Sequence, residues 1–177
     1  MLSEPLPSML DVRKAAVRGV TIKGSLKPLD LKRFRALLAE DDGVIEVRLA
    51  FSRDEENRYL IDLAVDAEIV VTCQRCLEPL PKSLSSVNTL AVVWTDDQAA
   101  HLPRHLEPLI EGDEGCRLWD LVEDELILAL PAFSYHDTEE CHRFLAGFAG
   151  QPSEQESVAD DKPNPFNVLE QLKPGDQ

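Results

Sequence analysis

The stretch IDLAVDAEIVVTC, residues 61–73, decides the fold. Ile61, Leu63, Val65, Ala67, Ile69, Val71 and Cys73 alternate with Asp62, Asp66, Glu68 and Thr72 over an unusually long run. A period of two places the apolar set on one face of a β-strand and the acids on the other. Upstream, Ile45, Val47, Leu49 and Phe51 alternate against Glu46, Arg48 and Ser52, and the polar turn Arg53–Asn57 joins the two runs into a hairpin. Downstream, Pro79 and Pro81 interrupt the pattern. It resumes from Val87 to Thr95 with apolar residues on both faces, as a central or helix-covered strand requires.

Further out, Val17–Lys23 reads as a short strand. Asp30 reads as the N-cap of a helix that carries Leu31, Phe34, Leu37 and Leu38 on one face and ends at Asp41-Asp42-Gly43. Residues 117–130, RLWDLVEDELILAL, form a helix stopped by Pro131, with Leu118, Leu121, Val122, Leu126 and Ala129 as its buried stripe. The expected fold is α+β: an antiparallel sheet or partly closed β-barrel with covering helices. Its strands fall near 17–23, 44–53, 58–73 and 84–95, and residues 1–146 make a single domain.

The 177 residues, 44% of them hydrophobic, are enough for one core. Eighteen basic against 33 acidic residues give a net charge of −15, which repels polyanions at long range and disfavours a simple electrostatic nucleic-acid binder. The charge is uneven. Residues 11–35 hold Arg13, Lys14, Arg18, Lys23, Lys27, Lys32, Arg33 and Arg35 against Asp11 and Asp30, a local +6 that leaves −21 on the remainder. Arg13, Lys14, Arg18, Lys32, Arg33 and Arg35 are thus the candidate contacts for RNA or an acidic partner, although the same residues also suit solvated faces of a strand and a helix. No basic leader with an apolar core opens the chain, and no apolar window reaches membrane-spanning length, so a cytoplasmic location is expected, with four reduced cysteines and no membrane contact.

Cys73 and Cys76 stand three positions apart, at the point where one long strand turns into the next. A thioredoxin-type dithiol needs a helix N-terminus to activate its thiol, and Leu77-Glu78-Pro79-Leu80-Pro81 opens a helix poorly. Two thiolates at i and i+3 suit one edge of a zinc tetrahedron, which needs two further ligands. The polar loop His136-Asp137-Thr138-Glu139-Glu140-Cys141-His142 offers a thiol and two imidazoles, enough for a Cys3His set, with Cys116 as a spare. Ordinary small residues at turns account for the same pattern equally well. Glu123, Asp124 and Glu125 invite acid–base or Mg2+ chemistry, but consecutive helix positions point about 100° apart and cannot converge on one ion. No catalytic triad, phosphate-binding glycine loop or nucleotide fingerprint is present. The chain does not read as an enzyme.

Residues 147–161, GFAGQPSEQESVADD, have the composition of a flexible acidic linker. Residues 162–173 then read as a short docking helix, with Asn164 as N-cap, Pro165 at the first helical position, and Phe166, Val168, Leu169 and Leu172 along one side. A helix this short is unstable alone, and docking on its own domain is favoured over docking on a partner.

The segments CQRCLEP, VEDELILALP, HDTEEC and KPNPFNVLEQLK, in this order over about residues 71–173, resemble the bacterial YceD family of large ribosomal RNA subunit accumulation proteins in its proteobacterial form. The resemblance implies a non-enzymatic factor for synthesis, processing or stability of 23S ribosomal RNA, with no catalytic residues to transfer. The family's C-x-x-C and H-D-x-x-x-C correspond to Cys73, Cys76, His136 and Cys141, which raises this quartet, with a structural zinc, above combinations using Cys116 or His142. For so acidic a protein the expected partner is a basic ribosomal protein or an rRNA-processing factor, with rRNA contacted indirectly. The alternative class is a zinc- or thiol-based cytosolic sensor.

Overall fold

The computed structural model describes residues 5–112 and 115–146. The linker expected at 147–161 and the docking helix expected at 162–173 lie outside the described residues. Among the described residues, seven strands and five α-helices follow in the order β1 (Met9–Leu10), α1 (Val12–Arg18), β2 (Thr21–Leu26), α2 (Lys32–Arg35), β3 (Glu40–Arg53), β4 (Tyr59–Thr72), β5 (Pro79–Val93), α3 (Asp96–Ala100), β6 (Glu107–Ile110), β7 (Cys116–Arg117), α4 (Leu118–Ala129) and α5 (Glu139–Ala146).

The central sheet has the order β2-β3-β4-β5-β6. Its first four strands are antiparallel, while β6 runs parallel to β5, with Leu90 opposite Glu107 and Val93 opposite Ile110. The sheet is therefore mixed and open. The partly closed barrel is corrected: β2 and β6 remain separate edges. Helices close the core face instead, α1 lying on β3 and β4 and α4 on β4 and β5. Alternation along β4 has the expected register, with Ile61, Leu63, Val65, Ala67, Ile69 and Val71 buried and Asp62, Asp66 and Glu68 exposed. On the opposite face only Ala91 and Val93 are deeply buried, where α3 and the crossover to β6 pack.

Three local expectations change. The segment read as a strand from Val17 begins in α1: Asp11 caps it by accepting from the Lys14 amide at 3.0 Å, and Gly19, at φ 62°, closes it before β2 starts at Thr21. Asp30 does not cap α2; its carboxylate accepts from the Lys27 amide at 3.0 Å and closes a 3-10 turn over Pro28–Asp30. Only Lys32–Arg35 are then helical, so Leu31 and Phe34 enter the core while Leu37 stays exposed. Asp41-Asp42-Gly43 belongs to β3, where the register shifts between Glu40 and Val44. Gly43 adopts φ 148°, and a Cβ there would strike the Glu68 carbonyl.

The prolines of β5 do not end the strand. Pro81 pairs with Val70 and Pro79 with Thr72. The Cys73 amide donates to the Glu78 carbonyl at 2.9 Å, which puts even-numbered residues of β5 in hydrogen-bonded register and turns Pro79 and Pro81 toward the free edge.

Candidate metal centre at the hairpin tip

Cys73, Gln74, Arg75, Cys76, Leu77 and Glu78 form the turn between β4 and β5. The Leu77 amide donates to the Cys73 carbonyl at 2.9 Å, and Leu77 takes the left-handed conformation, φ 64°. This tight turn brings the two thiols to one side. The chain leaving α4 is clamped against it: the Gln74 amide donates to the Ser134 carbonyl at 3.0 Å. The segment read as a polar loop at 136–142 divides in two, because Thr138 starts α5. Its hydroxyl accepts from the Cys141 amide at 3.3 Å, its carbonyl accepts from the His142 amide at 3.0 Å, and α5 presents Cys141 to the turn.

One ligand atom from each of Cys73, Cys76, His136 and Cys141 lies within 4.8 Å of all the others. Cys73 Sγ is 3.6 Å from Cys141 Sγ, and Cys76 Sγ is 3.3 Å from His136 Nδ1. Donors about 2.0–2.3 Å from a tetrahedral zinc stand roughly 3.3–3.8 Å apart along each edge, so these separations suit such an ion with small adjustments. The histidine is already oriented. Its Nε2 lies 3.1 Å from the Pro79 carbonyl, an acceptor, so Nε2 carries the proton and the Nδ1 lone pair faces Cys76. Pro79 can offer that carbonyl because it faces the free edge of β5.

The electrostatics favour a thiolate. Burial pushes Cys73 up, but the amides of Cys76, His136 and Arg75 outweigh it and hold the thiol at about 5. At Cys76 the Glu78 amide lowers the value, yet burial and the neighbouring Cys73 and Cys141 leave it raised. Three thiols this close cannot all ionise without a cation. Arg75 supplies part of one, its Nη1 lying 3.9 Å from Cys141 Sγ and donating to His142 Nδ1 at 3.2 Å. Cys116 is elsewhere, on β7; burial, with help from Glu111 and Asp120, raises its thiol to about 12. His142 also lies outside the quartet and is exposed.

The six basic candidates do not form one patch of free charge. Lys14 pairs with Asp11 at 2.7 Å, Arg35 with Asp41 at 2.8 Å, and Arg33 with Glu123 at 2.9 Å and Asp124 at 2.7 Å. The Arg13 guanidinium lies 4.4 Å from the centre of a Trp94 ring. Arg18 and Lys32 are exposed. Of the three adjacent carboxylates of α4, Glu123 and Asp124 share the Arg33 guanidinium and Glu125 turns away to β5, so the three do not meet at one point. Glu123 is buried and caps α2, accepting from the Arg33 and Phe34 amides at 2.6 and 3.1 Å. Glu125 accepts from Ser86 and Asn88 on the core face of β5, and Asp124 faces solvent.

Arg75, Thr138, the Pro79 carbonyl and the capping role of Glu123 were missed in the sequence. Only Thr138 carried a readable signal, a helix cap before Glu139-Glu140. The others depend on contacts between distant segments.

Fold and site together define a small α+β protein whose longest hairpin ends in a thiol-rich, four-donor cluster. The chain belongs to the YceD family: the family model described as "Large ribosomal RNA subunit accumulation protein YceD" matches residues 61–173. A protein of Haemophilus influenzae with that same description is 33% identical over 171 residues, covering 95% of this chain and 96% of the relative. No solved structure matches the chain. No described helix is long and apolar enough to cross a membrane.

Proposed function

We propose that this protein is a non-enzymatic ribosome-biogenesis factor that supports synthesis, processing or stability of 23S ribosomal RNA through protein contacts during large-subunit assembly. Family membership over most of the chain carries this reading. The charge distribution supports protein rather than RNA as the first contact. The net charge is −15, and Lys14, Arg33 and Arg35 of the basic segment are engaged by carboxylates of the same chain. A basic ribosomal protein or a processing factor seated on the acidic surface would be shielded from wrong RNA contacts until handover.

The quartet Cys73, Cys76, His136 and Cys141 serves this role as a structural clamp. A zinc ion held there would tie the hairpin turn to α5 and to the chain leaving α4, and three thiolates around a dication would leave one negative charge beside Arg75. The donor set and its spacing support zinc over harder cations, which prefer oxygen ligands. The close approach of three thiols, with Cys73 Sγ 3.6 Å from Cys141 Sγ, keeps a thiol- or zinc-based sensor as the second reading. Co-sedimentation separates them: a biogenesis factor travels with large-subunit precursors in cell extracts, and its loss lowers mature 23S rRNA. A protein that stays at the top of the gradient, in cells whose 23S rRNA is unchanged by its deletion, would refute the assembly role.

A further inference from the structure

An apolar stretch of the described body lies exposed beside the thiol cluster. Residues 128–135 read LALPAFSY, without a charged side chain. Leu128, Phe133 and Tyr135 are 76%, 68% and 45% exposed. Phe133 and Tyr135 stack with ring centres 6.3 Å apart and planes 5° from parallel, and the Arg75 guanidinium sits 4.8 Å from the Tyr135 ring centre. Exposed large apolar groups concentrated in one segment mark a surface that gains by being covered.

The same chain holds a matching cover beyond the described residues. PFNVLEQL, residues 165–172, places Phe166, Leu169 and Leu172 at spacings of three, one side of a helix, with Asn164 and Pro165 as start signals. So short a helix does not persist in water without an apolar surface beneath it. The described chain also ends close to the patch. α5 starts four residues after Tyr135, its Cys141 touches the hairpin turn, and its eight residues span about 12 Å. Eighteen residues, 147–164, separate Ala146 from Pro165, and a flexible chain of that length spans roughly 20–25 Å. The patch is thus within reach at an effective concentration near the millimolar range.

We propose that residues 165–172 dock as an amphipathic helix on the Leu128–Tyr135 surface of the same chain, with Phe166, Leu169 and Leu172 against Leu128, Phe133 and Tyr135. The docked segment lies over the flank of the four-donor cluster. The inference does not rest on the ribosomal reading.

The test uses the full chain with a benzoylphenylalanine photo-crosslinker in place of Phe166, irradiated at widely different protein concentrations. The expected product is monomeric, forms in a yield independent of concentration, and maps to residues 128–135. In parallel, Phe166→Asp with Leu169→Asp, changes outside the described body, should speed hydrogen exchange of the 133–135 amides by about tenfold or more, the equivalent of roughly 1.4 kcal/mol of docking. Crosslinks to other segments, a concentration-dependent dimer, no crosslink, or unchanged exchange in the double variant each overturn the proposal; the dimer would assign the patch to a second copy, and the absence of any crosslink to another protein.

Discussion

At the scale of single residues, the buried polar groups show how much depends on partners brought from far along the chain. Glu123 receives two backbone amides and the Arg33 guanidinium, so its removal orphans the start of α2. Glu123→Ala should cost about 2–3 kcal/mol, read as a lower urea midpoint at unchanged slope. The carboxylate is held below its ordinary 4.5, because the Phe34 amide and Arg33 outweigh burial. Its contribution is therefore complete above the unfolded-state value and lost as pH falls through the depressed folded one. The stability gap between the native chain and Glu123→Gln should be widest above about pH 5 and close as pH falls through the depressed folded value. Cys73 and Cys141 face each other at 3.6 Å from different elements. Protein purified without a histidine tag should carry about one zinc per chain. Cys73→Ser and Cys141→Ser should each lose it, with a melting temperature lower by about 5–15 °C. No zinc in the native chain would leave the quartet as a packed turn.

At the scale of elements, β3 and β4 depend on one glycine. The bulge between Glu40 and Val44 lets the strand bend where Gly43 passes the Glu68 carbonyl. Gly43→Ala adds a Cβ against backbone at a positive φ, and should destabilise by about 2 kcal/mol or more. Gly19→Ala meets nothing within 4 Å and carries only the strain of φ 62°, so it should cost about 1 kcal/mol. A Gly43→Ala loss equal to or below the Gly19→Ala loss in the same chemical unfolding series would show that the bulge relaxes around the added methyl group.

At the scale of the whole molecule, the outer face of the sheet is acidic. Glu46 lies directly opposite Asp66, with Asp62 and Glu68 on the same face, and these four exposed acids outnumber the exposed bases there, Lys23 and its cross-strand partner Arg48. Like charges across a strand pair repel, so this face is poorly suited to a phosphate backbone. In a gel shift with a 23S fragment at physiological salt, the isolated protein should give little complex. Whatever forms should weaken in Arg18→Glu with Lys32→Glu, two exposed charges whose reversal spares the pairs around Glu123. Tight, sequence-selective RNA binding would count against protein contact as the main mode.

What was legible in the sequence was whatever depends on local period and end chemistry. The alternation of Ile61 to Cys73 determined the strand, its register and its buried face, because a one-residue slip would turn every side chain over. Pro131 marked the close of α4. The pattern around Val17 and Asp30 was too short to outweigh competing caps: Asp11 and Gly19 bounded a helix that takes Val17 and Arg18 and moves the strand to Thr21–Leu26, and Asp30 spent its carboxylate on a turn. Spacing named Cys73 and Cys76 as a pair but could not choose their partners, since about 60 residues of chain fix no distance in space. Tertiary structure decided that. The Pro79 carbonyl on the free edge of β5 orients His136, and Thr138 starts the helix that delivers Cys141. Whether the sheet closed was equally beyond local pattern, because closure depends on what covers the core face, and α1 and α4 cover it.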